Sequence, residues 1–235
     1  MKHTIYLILL SLLTSSAYSQ DTLTKYFDED WNIITDESNA SYFREYFKND
    51  KSIWVVNDFY MDNEIQMSGL YKTSSMLIKE GVFTYYYENG QRKSSGIYHK
   101  NRKSGEWNYW FENGEIKANG VFTKDKKSGE WNYWYDNGQL DAKGQILKNL
   151  YTGEWIYWFK NGSTLSKGKF IKGSKNGPWT YWNKEGRKMT SGSYTNGFKE
   201  GVWIRYFRDG QMKINYIHGE VIGKQHGIII RRVKE

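Results

Sequence analysis

Large aromatic side chains recur along this chain at a fixed step of 24 residues. Exposed rings in a row stack on sugar rings or anchor a peptide. We therefore predict a binding surface for a carbohydrate or a protein, unless the twist of the sheet or long lysine side chains cover the rings. The predicted binding face comprises Tyr86, Trp110, Trp134, Trp158, Trp182 and Tyr206.

Positively charged side chains recur near one point of each step, which predicts a basic edge. A basic edge interleaved with aromatics binds anions, including nucleic acids. In an exported protein we expect anionic glycans or lipid headgroups instead, and no nucleic acid. The alternative is that the cations only keep the loops soluble. The predicted edge comprises Arg102, Lys103, Lys126, Lys127, Lys175 and Lys199.

Groups that could carry catalysis are sparse. Glu106, Glu130 and Glu154 recur as a column, whereas an active site normally breaks the symmetry of a repeat. The chain has no Cys, and its four His lack ligand spacing. We therefore predict no enzyme, no cofactor and no metal site.

Glycines share the 24-residue step in three columns, which begin at Gly81, Gly90 and Gly96. A fixed period of this kind indicates a repeat architecture. The second column marks predicted turns and comprises Gly90, Gly114, Gly138, Gly162, Gly186 and Gly210.

One copy, residues 105–128, is predicted to form a β-hairpin. Aromatic residues at 106–112 favour a strand, Asn113-Gly114 fits a two-residue type I′ turn, and 115–123 form the returning strand. Residues 124–128 are predicted to be a polar loop. A helix would have to contain many glycines, each of which destabilises it by about 0.5–1 kcal/mol.

Pairing across a two-residue turn sorts the side chains of this hairpin by face. It sets large rings opposite small residues, so that Gly120 is predicted to make room for the indole of Trp107. The predicted pairs are Phe111 with Ile116, Tyr109 with Ala118 and Trp107 with Gly120. The Trp110 column then lies on the opposite face, across from Lys93, Lys117, Asp141, Leu165 and Met189.

One hairpin cannot bury its rings alone, but hairpins joined edge to edge can. The sequence therefore predicts an all-β fold, an elongated antiparallel β-meander of about six 24-residue hairpins. Its apolar seam is a predicted ladder that begins at Phe83 and continues through Trp107, Trp131, Trp155, Trp179 and Trp203.

The pattern Gly-x-Trp-x-Tyr-[Trp/Tyr]-[Tyr/Phe]-x-Asn-Gly resembles the variant MORN repeat over residues 81–210, as in bacterial YwqK-type antitoxin proteins. A weaker copy is "YMDNEIQMSGLY" at 60–71. The resemblance implies a row of β-hairpins that binds or scaffolds other molecules, and it supplies no catalytic motif.

The predicted organisation has five parts. Residues 1–19 are predicted to be a signal peptide, because a basic start precedes about nine apolar residues, too few to span a bilayer, and Ala17-Tyr18-Ser19 fits a cleavage site. Capping strands at 20–53, a degenerate repeat at 54–80, the array at 81–226 and a capping strand at 227–235 follow. We expect the protein to be exported to the periplasm or secreted, and we do not expect it to be an integral membrane protein.

Three functions fit these features. The favoured one is a non-catalytic exported scaffold that binds a protein or cell-envelope component through its sheet faces. The first alternative is a carbohydrate or cell-wall binding module that uses exposed aromatic rows. The second is an antitoxin-like partner-binding protein, although an export signal fits poorly with neutralising a cytoplasmic toxin.

Overall fold

The computed structural model describes residues 22–226, so the predicted signal peptide and the predicted cap at 227–235 lie outside the described residues. Its strands form one 18-stranded antiparallel sheet. This confirms the predicted all-β meander. Within the described range, a 3-10 turn at Glu37–Asn39 is the only helical segment.

The N-terminal part of the sheet precedes the regular array. Its edge is the two-residue strand β2 (Ile33–Ile34), which pairs with β1 (Leu23–Phe27), and β1 pairs with β3 (Tyr42–Lys48). From β3 onward each strand pairs with the next one in the chain. The first five strands are β1 Leu23–Phe27, β2 Ile33–Ile34, β3 Tyr42–Lys48, β4 Trp54–Tyr60 and β5 Ile65–Tyr71.

Six hairpins with the 24-residue step follow, and one further strand ends the described chain. The hairpins are β6 Lys79–Tyr86 with β7 Arg92–His99, β8 Arg102–Trp110 with β9 Ile116–Thr123, β10 Lys126–Trp134 with β11 Leu140–Leu147, β12 Leu150–Trp158 with β13 Thr164–Ile171, β14 Ser174–Trp182 with β15 Lys188–Thr195, and β16 Phe198–Phe207 with β17 Gly210–Ile217; the last strand is β18 Glu220–His226.

The turn at Asn113-Gly114 differs from the predicted type I′ turn. Gly114 has a φ of +86°, but Asn113 does not have a positive φ. The Phe111 amide donates to the Glu115 carbonyl at 2.8 Å, which leaves a three-residue loop. Such loops combine a type I turn with a left-handed residue, here the glycine.

The longer loop changes the pairing beside it. Ile116 pairs with Trp110, and a β-bulge follows between Tyr109 and Trp110. The predicted pair of Phe111 with Ile116 is therefore wrong. Beyond the bulge, Tyr109 pairs with Ala118 as predicted.

Type I′ turns occur instead at the other end of each repeat, inside the predicted polar loop. Lys124 and Asp125 have φ values of +50° and +66°, and β9 and β10 meet directly at them. The segment 124–128 is therefore mostly strand. The sequence concealed this turn because Lys is uncommon in the left-handed region.

Each indole lies on a glycine of the preceding repeat. Trp131 pairs with Gly120, and a Cβ placed on Gly120 would stand 2.3 Å from the Trp131 ring. Trp107 pairs with Gly120 on the other side, but its ring lies on Gly96. The prediction that Gly120 makes room for Trp107 is therefore wrong: Gly120 makes room for Trp131 of the following repeat, and Gly96 makes room for Trp107.

A bulge accompanies this direction of packing. Where β10 meets β9, the register passes from Ser128 directly to Trp131, so that Gly129 and Glu130 are extra. Gly129 has a φ of +74°, which glycine adopts without steric cost. The Trp131 indole N–H then donates to the Val121 carbonyl at 3.3 Å, so the buried ring has a partner for its polar atom.

The ladder is the main core of the sheet. Its five tryptophans, at 107, 131, 155, 179 and 203, are 0–1% exposed. At roughly 150–250 Å² each, their burial is worth at most about 4–6 kcal/mol per ring. The ring of Tyr109 lies between the indoles of Trp107 and Trp131, with centroid distances of 6.1 and 6.4 Å, so the aromatic contact continues from repeat to repeat.

We predict that Gly144→Ala destabilises the protein strongly, because its Cβ would stand 2.3 Å from the Trp155 ring. Relief of this clash requires the ring or the backbone to shift, at a cost of about 3 kcal/mol. Urea unfolding followed by tryptophan fluorescence measures the change.

The matched control is Gly223→Ala on β18, where the nearest atom to a new Cβ is the Asn215 amide nitrogen at 3.7 Å. This control should stay within about 1 kcal/mol of the parent. Equal unfolding midpoints for the two variants would contradict the packing of indole on glycine.

Candidate binding surfaces

The predicted binding column from Tyr86 to Tyr206 lies immediately before the Asn-Gly turns; we refer to it as the turn-side column. Its six rings are half-buried, so the expectation of an exposed row needs correction. Its five predicted cross-strand partners are also wrong, because a bulge shifts the register by one residue in each of the first five hairpins. The partners are, in order, Arg92, Ile116, Leu140, Thr164 and Lys188. In the sixth hairpin, which has no such bulge, Tyr206 pairs with Gln211.

A cleft of about 350 Å³ opens at the third member of this column. Trp134 and Tyr135 line it together with Phe111 of the preceding repeat. Asp141 and Lys117 also line it. Rings combined with a few polar groups are typical of a ligand pocket.

Polar contacts hold this cleft in place. The Tyr135 hydroxyl donates to the Trp158 carbonyl at 2.8 Å, which connects two repeats. Lys160 forms an ion pair with Asp136 at the rim. The cleft is therefore preformed by contacts between neighbouring hairpins.

The residues of the predicted basic edge divide into two groups on opposite faces of the sheet, so the prediction that they form a single edge is wrong. Arg102 and Lys126 are exposed beside the type I′ turns. Lys103 and Lys127, one residue later, lie over the buried indoles, because successive strand residues point to opposite faces. Their Nζ atoms stand 4.0 Å from the centroids of the Trp107 and Trp131 rings.

Lys175 and Lys199 lie over Trp179 and Trp203 in the same way, at 4.3 and 4.6 Å. Lys79 lies over Phe83 at 5.0 Å. The lysine ladder, as we name it, therefore comprises Lys79, Lys103, Lys127, Lys175 and Lys199. The sequence prediction missed Lys79, although it stands 24 residues before Lys103.

Tyrosines contact the lysine ladder or take the place of a lysine in it. The ammonium of Lys103 donates to the Tyr109 hydroxyl at 3.0 Å, and that of Lys127 to the Tyr133 hydroxyl at 3.1 Å. Tyr151 occupies the ladder position in the fourth copy, where its ring stacks on Trp155 at 4.2 Å. The row of cations is therefore interrupted once.

Partial burial changes the acidity of these groups. Loss of hydration lowers the pKa of Lys103, Lys127 and Lys175, because it disfavours the charged form. The same loss raises the pKa of Tyr109 to about 12 and raises that of Tyr133 as well. At neutral pH the surface therefore presents ammonium groups among neutral phenols.

A buried ion pair between Arg44 and Asp58 lies on β3 and β4, on the N-terminal side of the lysine ladder. Asp58 is 3% exposed and accepts two bonds from Arg44, including Nη2 to Oδ2 at 2.9 Å. Burial raises the pKa of Asp58, and the bonds from Arg44 oppose that rise. Removal of either partner would leave a buried charge unpaired, which is strongly destabilising.

Two clefts lie beside the type I′ turns at equivalent places in successive repeats, and Arg102 and Lys124 line both. Their volumes are about 440 and 550 Å³. Lys100 borders the first, while Lys126 and Lys148 border the second. The exposed members of the predicted basic edge therefore do lie together.

Two other classes of site are absent from the described part of the chain. Between residues 22 and 226, no cluster of three His, Asp or Glu side chains is arranged to hold a metal ion. No helix in the same range is both long enough and apolar enough to cross a membrane.

Alkaline pH should destabilise the protein through Tyr109. An unfolded tyrosine ionises near its ordinary pKa of 10.0, whereas Tyr109 ionises near about 12 in the fold. The folded state therefore retains a proton that the unfolded state has lost. Stability is full below pH 10 and declines as the pH rises from 10 towards 12.

The lysines act in the opposite sense, since a lowered pKa makes stability rise as the pH approaches their ordinary value of 10.5. Urea midpoints measured from neutral pH to pH 12, with phenolate absorbance in parallel, follow both effects. Tyr109→Phe should flatten the decline above pH 10. A midpoint that is constant from pH 10 to 12 in the parent would contradict the assigned burial of the phenols.

Comparison with known proteins agrees with the repeat geometry. Residues 79–101 and 127–148 match the MORN repeat variant, and these segments correspond to the hairpins β6–β7 and β10–β11. No curated protein matches the chain. These two segments therefore resemble MORN-type repeats, and in this structure both are β-hairpins within one continuous sheet.

Proposed function

We propose that the protein is a non-catalytic, exported repeat scaffold that binds a protein or a cell-envelope component. The main support is the contrast between two sets of rings. The ladder tryptophans are 0–1% exposed and form the core, whereas the turn-side column remains half-buried in every repeat. Partly exposed aromatic rings at regular intervals suit the anchoring of an elongated partner.

The recurrent carboxylates support a non-catalytic role. Glu130 forms an ion pair with Lys143 at 2.9 Å, and Glu154 forms the equivalent pair with Lys167 at 3.0 Å. Both pairs are about half exposed and repeat from one copy to the next. Their regularity is expected of cross-strand contacts on a sheet rather than of a single reactive centre.

Export is the part of the proposal that depends on the sequence alone. The basic start and short apolar segment of residues 1–19 support it. The absence of Cys is compatible with an oxidising compartment, because no thiol would need protection there. A periplasmic or extracellular position would place the repeats next to envelope components.

A carbohydrate-binding role is the second candidate, and the cleft at Trp134 favours it. The cleft combines aromatic rings with the carboxylates of Asp136 and Asp141. Flat rings offer stacking surfaces, and carboxylates accept hydrogen bonds from sugar hydroxyls. A soluble oligosaccharide that displaces the protein from envelope material would favour this candidate over a protein partner.

We predict that Ala at Trp110, Trp134 and Trp158 together reduces retention of the protein on purified envelope fractions at least about tenfold, a loss of about 1.4 kcal/mol. The reason is the loss of three stacking surfaces at one edge. Co-sedimentation at several protein concentrations measures the retention, and thermal melting checks the fold.

The matched control replaces Val82, Ile97 and Val202 with Ala, since these side chains are 53%, 44% and 52% exposed and do not belong to the column. The control should bind like the parent. If the tryptophan variant melts too low to test, Trp134→Ala alone replaces it. Unchanged retention by folded tryptophan variants would contradict the proposed binding role of the column.

A further inference from the structure

The cations of the lysine ladder have only distant acidic neighbours among the described residues: Asp125 acts electrostatically on Lys103, and Asp58 interacts in the same way with Lys79. Within residues 22–226, no ladder lysine belongs to an ion pair. The ammonium of Lys103 contacts the Trp107 ring and the Tyr109 hydroxyl. An ammonium has three donors, so these contacts leave capacity for a further acceptor.

The surface around the ladder also lacks carboxylates. On the described strands β6 to β17, the residues that share a face with the ladder lysines and the buried indoles are Gly, Ser, Ala, Thr, Arg, Lys or apolar and aromatic residues. The nearest acids lie at its margins. Asp125 in a turn accepts the Lys103 backbone N–H at 2.8 Å, and Asp58 is paired with Arg44.

This lack of acidic residues makes the ladder different from the rest of the sheet. The other face carries ion pairs such as Glu130 with Lys143. The ladder face instead combines regularly spaced positive charge with phenol and phenyl rings. Charge complementarity therefore indicates an acidic occupant that also packs against aromatic rings.

The spacing of the ladder selects the conformation of that occupant. Successive lysines are two strands apart, which is about 9.6 Å at the usual strand separation. A polyproline II helix advances about 9.3 Å per turn of three residues. Every third side chain of such a segment points to the same side, at nearly the spacing of the lysines.

A β-strand does not offer the same match. It advances about 10 Å in three residues, but its first and fourth side chains point to opposite sides. Aromatic-lined surfaces also suit polyproline II segments, because these are extended before binding and lose little entropy.

We propose that the lysine ladder binds an acidic polyproline II segment of another protein, with a carboxylate at every third residue. The inference deepens the proposed scaffold function by stating the partner's chemistry, but it uses a surface separate from the turn-side column. Tyr151 interrupts the row, so one position of the bound segment lacks a lysine partner.

The acidity of the lysines agrees with this assignment. Loss of hydration lowers the pKa of Lys127 and Lys175 in the free protein. A carboxylate placed beside each ammonium would favour the charged form again. The ladder is thus better satisfied with an anionic partner than without one.

The first experiment compares two fluorescent peptides of equal composition on the full chain. One contains six consecutive Glu-Pro-Pro units, and the other has its six Glu residues together, followed by the prolines. Fluorescence anisotropy at low salt gives both affinities. We expect the periodic peptide to bind at least roughly tenfold tighter, and equal affinities would overturn the proposal by showing attraction to net charge alone.

The second experiment changes the ladder. Gln at Lys103, Lys127 and Lys175 together should weaken the periodic peptide roughly thirtyfold, about threefold for each partly exposed ion pair. The control places Gln at Arg102, Lys126 and Lys148, which removes the same charge from the exposed turn clefts. The control should weaken binding by less than roughly threefold, and an equal loss in the two variants would overturn the proposal.

A variant that is expected to bind the peptide more tightly separates an effect on binding from a loss of folded protein. Tyr151→Lys fills the gap in the ladder and reproduces the lysine-on-indole arrangement of the neighbouring copies. It should tighten the periodic peptide roughly threefold, without a change for the clustered peptide. No gain in a folded variant would contradict the lysine ladder as the contact surface.

Other occupants are tested with the same variants. Vesicles of phosphatidylcholine with phosphatidylserine, or a sulfated glycan, that bind tighter than the periodic peptide and lose binding in the ladder variant would overturn the assignment to a polypeptide. The turn-side variant at Trp110, Trp134 and Trp158 should bind the peptide normally. Failure of the peptide alone therefore rejects this inference, whereas retained envelope binding by the turn-side variant rejects the proposed use of that column.

Discussion

The contact of each tryptophan ring with a glycine of the preceding repeat is the interaction on which this structure depends. A single-layer sheet has no second layer against which to bury its apolar side chains. The indoles instead lie flat on the sheet, where any Cβ would stand within about 2.5 Å of the ring. Tyrosines, phenylalanines and lysines then cover them, so the core is built on one face and joins every repeat to the one before it.

The same constraint explains why the sequence predicted much of the fold but not its details. The 24-residue step and the pairing of Trp107 with Gly120 follow from composition and alternation. The direction in which the indole leans does not, because Gly120 pairs with a tryptophan on both sides. The sequence also predicts the type I′ turn at the wrong end of each repeat, since Asn-Gly fits both a type I′ turn and a type I turn with a left-handed glycine.

The candidate surfaces are harder to predict from the sequence, because a shift of one position along a strand moves a side chain to the other face of the sheet. Arg102 and Lys103 are adjacent in sequence, yet one borders an exposed cleft and the other lies on a buried indole. A sequence column cannot distinguish them without the register, and the register depends on a bulge that Gly105 permits with its φ of +67°. The structure thus separates positive charge at the exposed turn clefts from positive charge that stands over the buried rings, and the second set recurs in every copy except the one with Tyr151.

Deletion of residues 124–147 tests the central claim most directly, since it removes one full 24-residue step and leaves Gly120 facing Trp155. If the indole of one repeat and the glycine of the preceding repeat specify how repeats join, the shortened protein should unfold cooperatively and keep the near-ultraviolet circular dichroism of immobilised indoles. A deletion one residue shorter shifts the alternation and should lose that signal. Loss of the signal in both deletions, or its retention in both, would contradict the account.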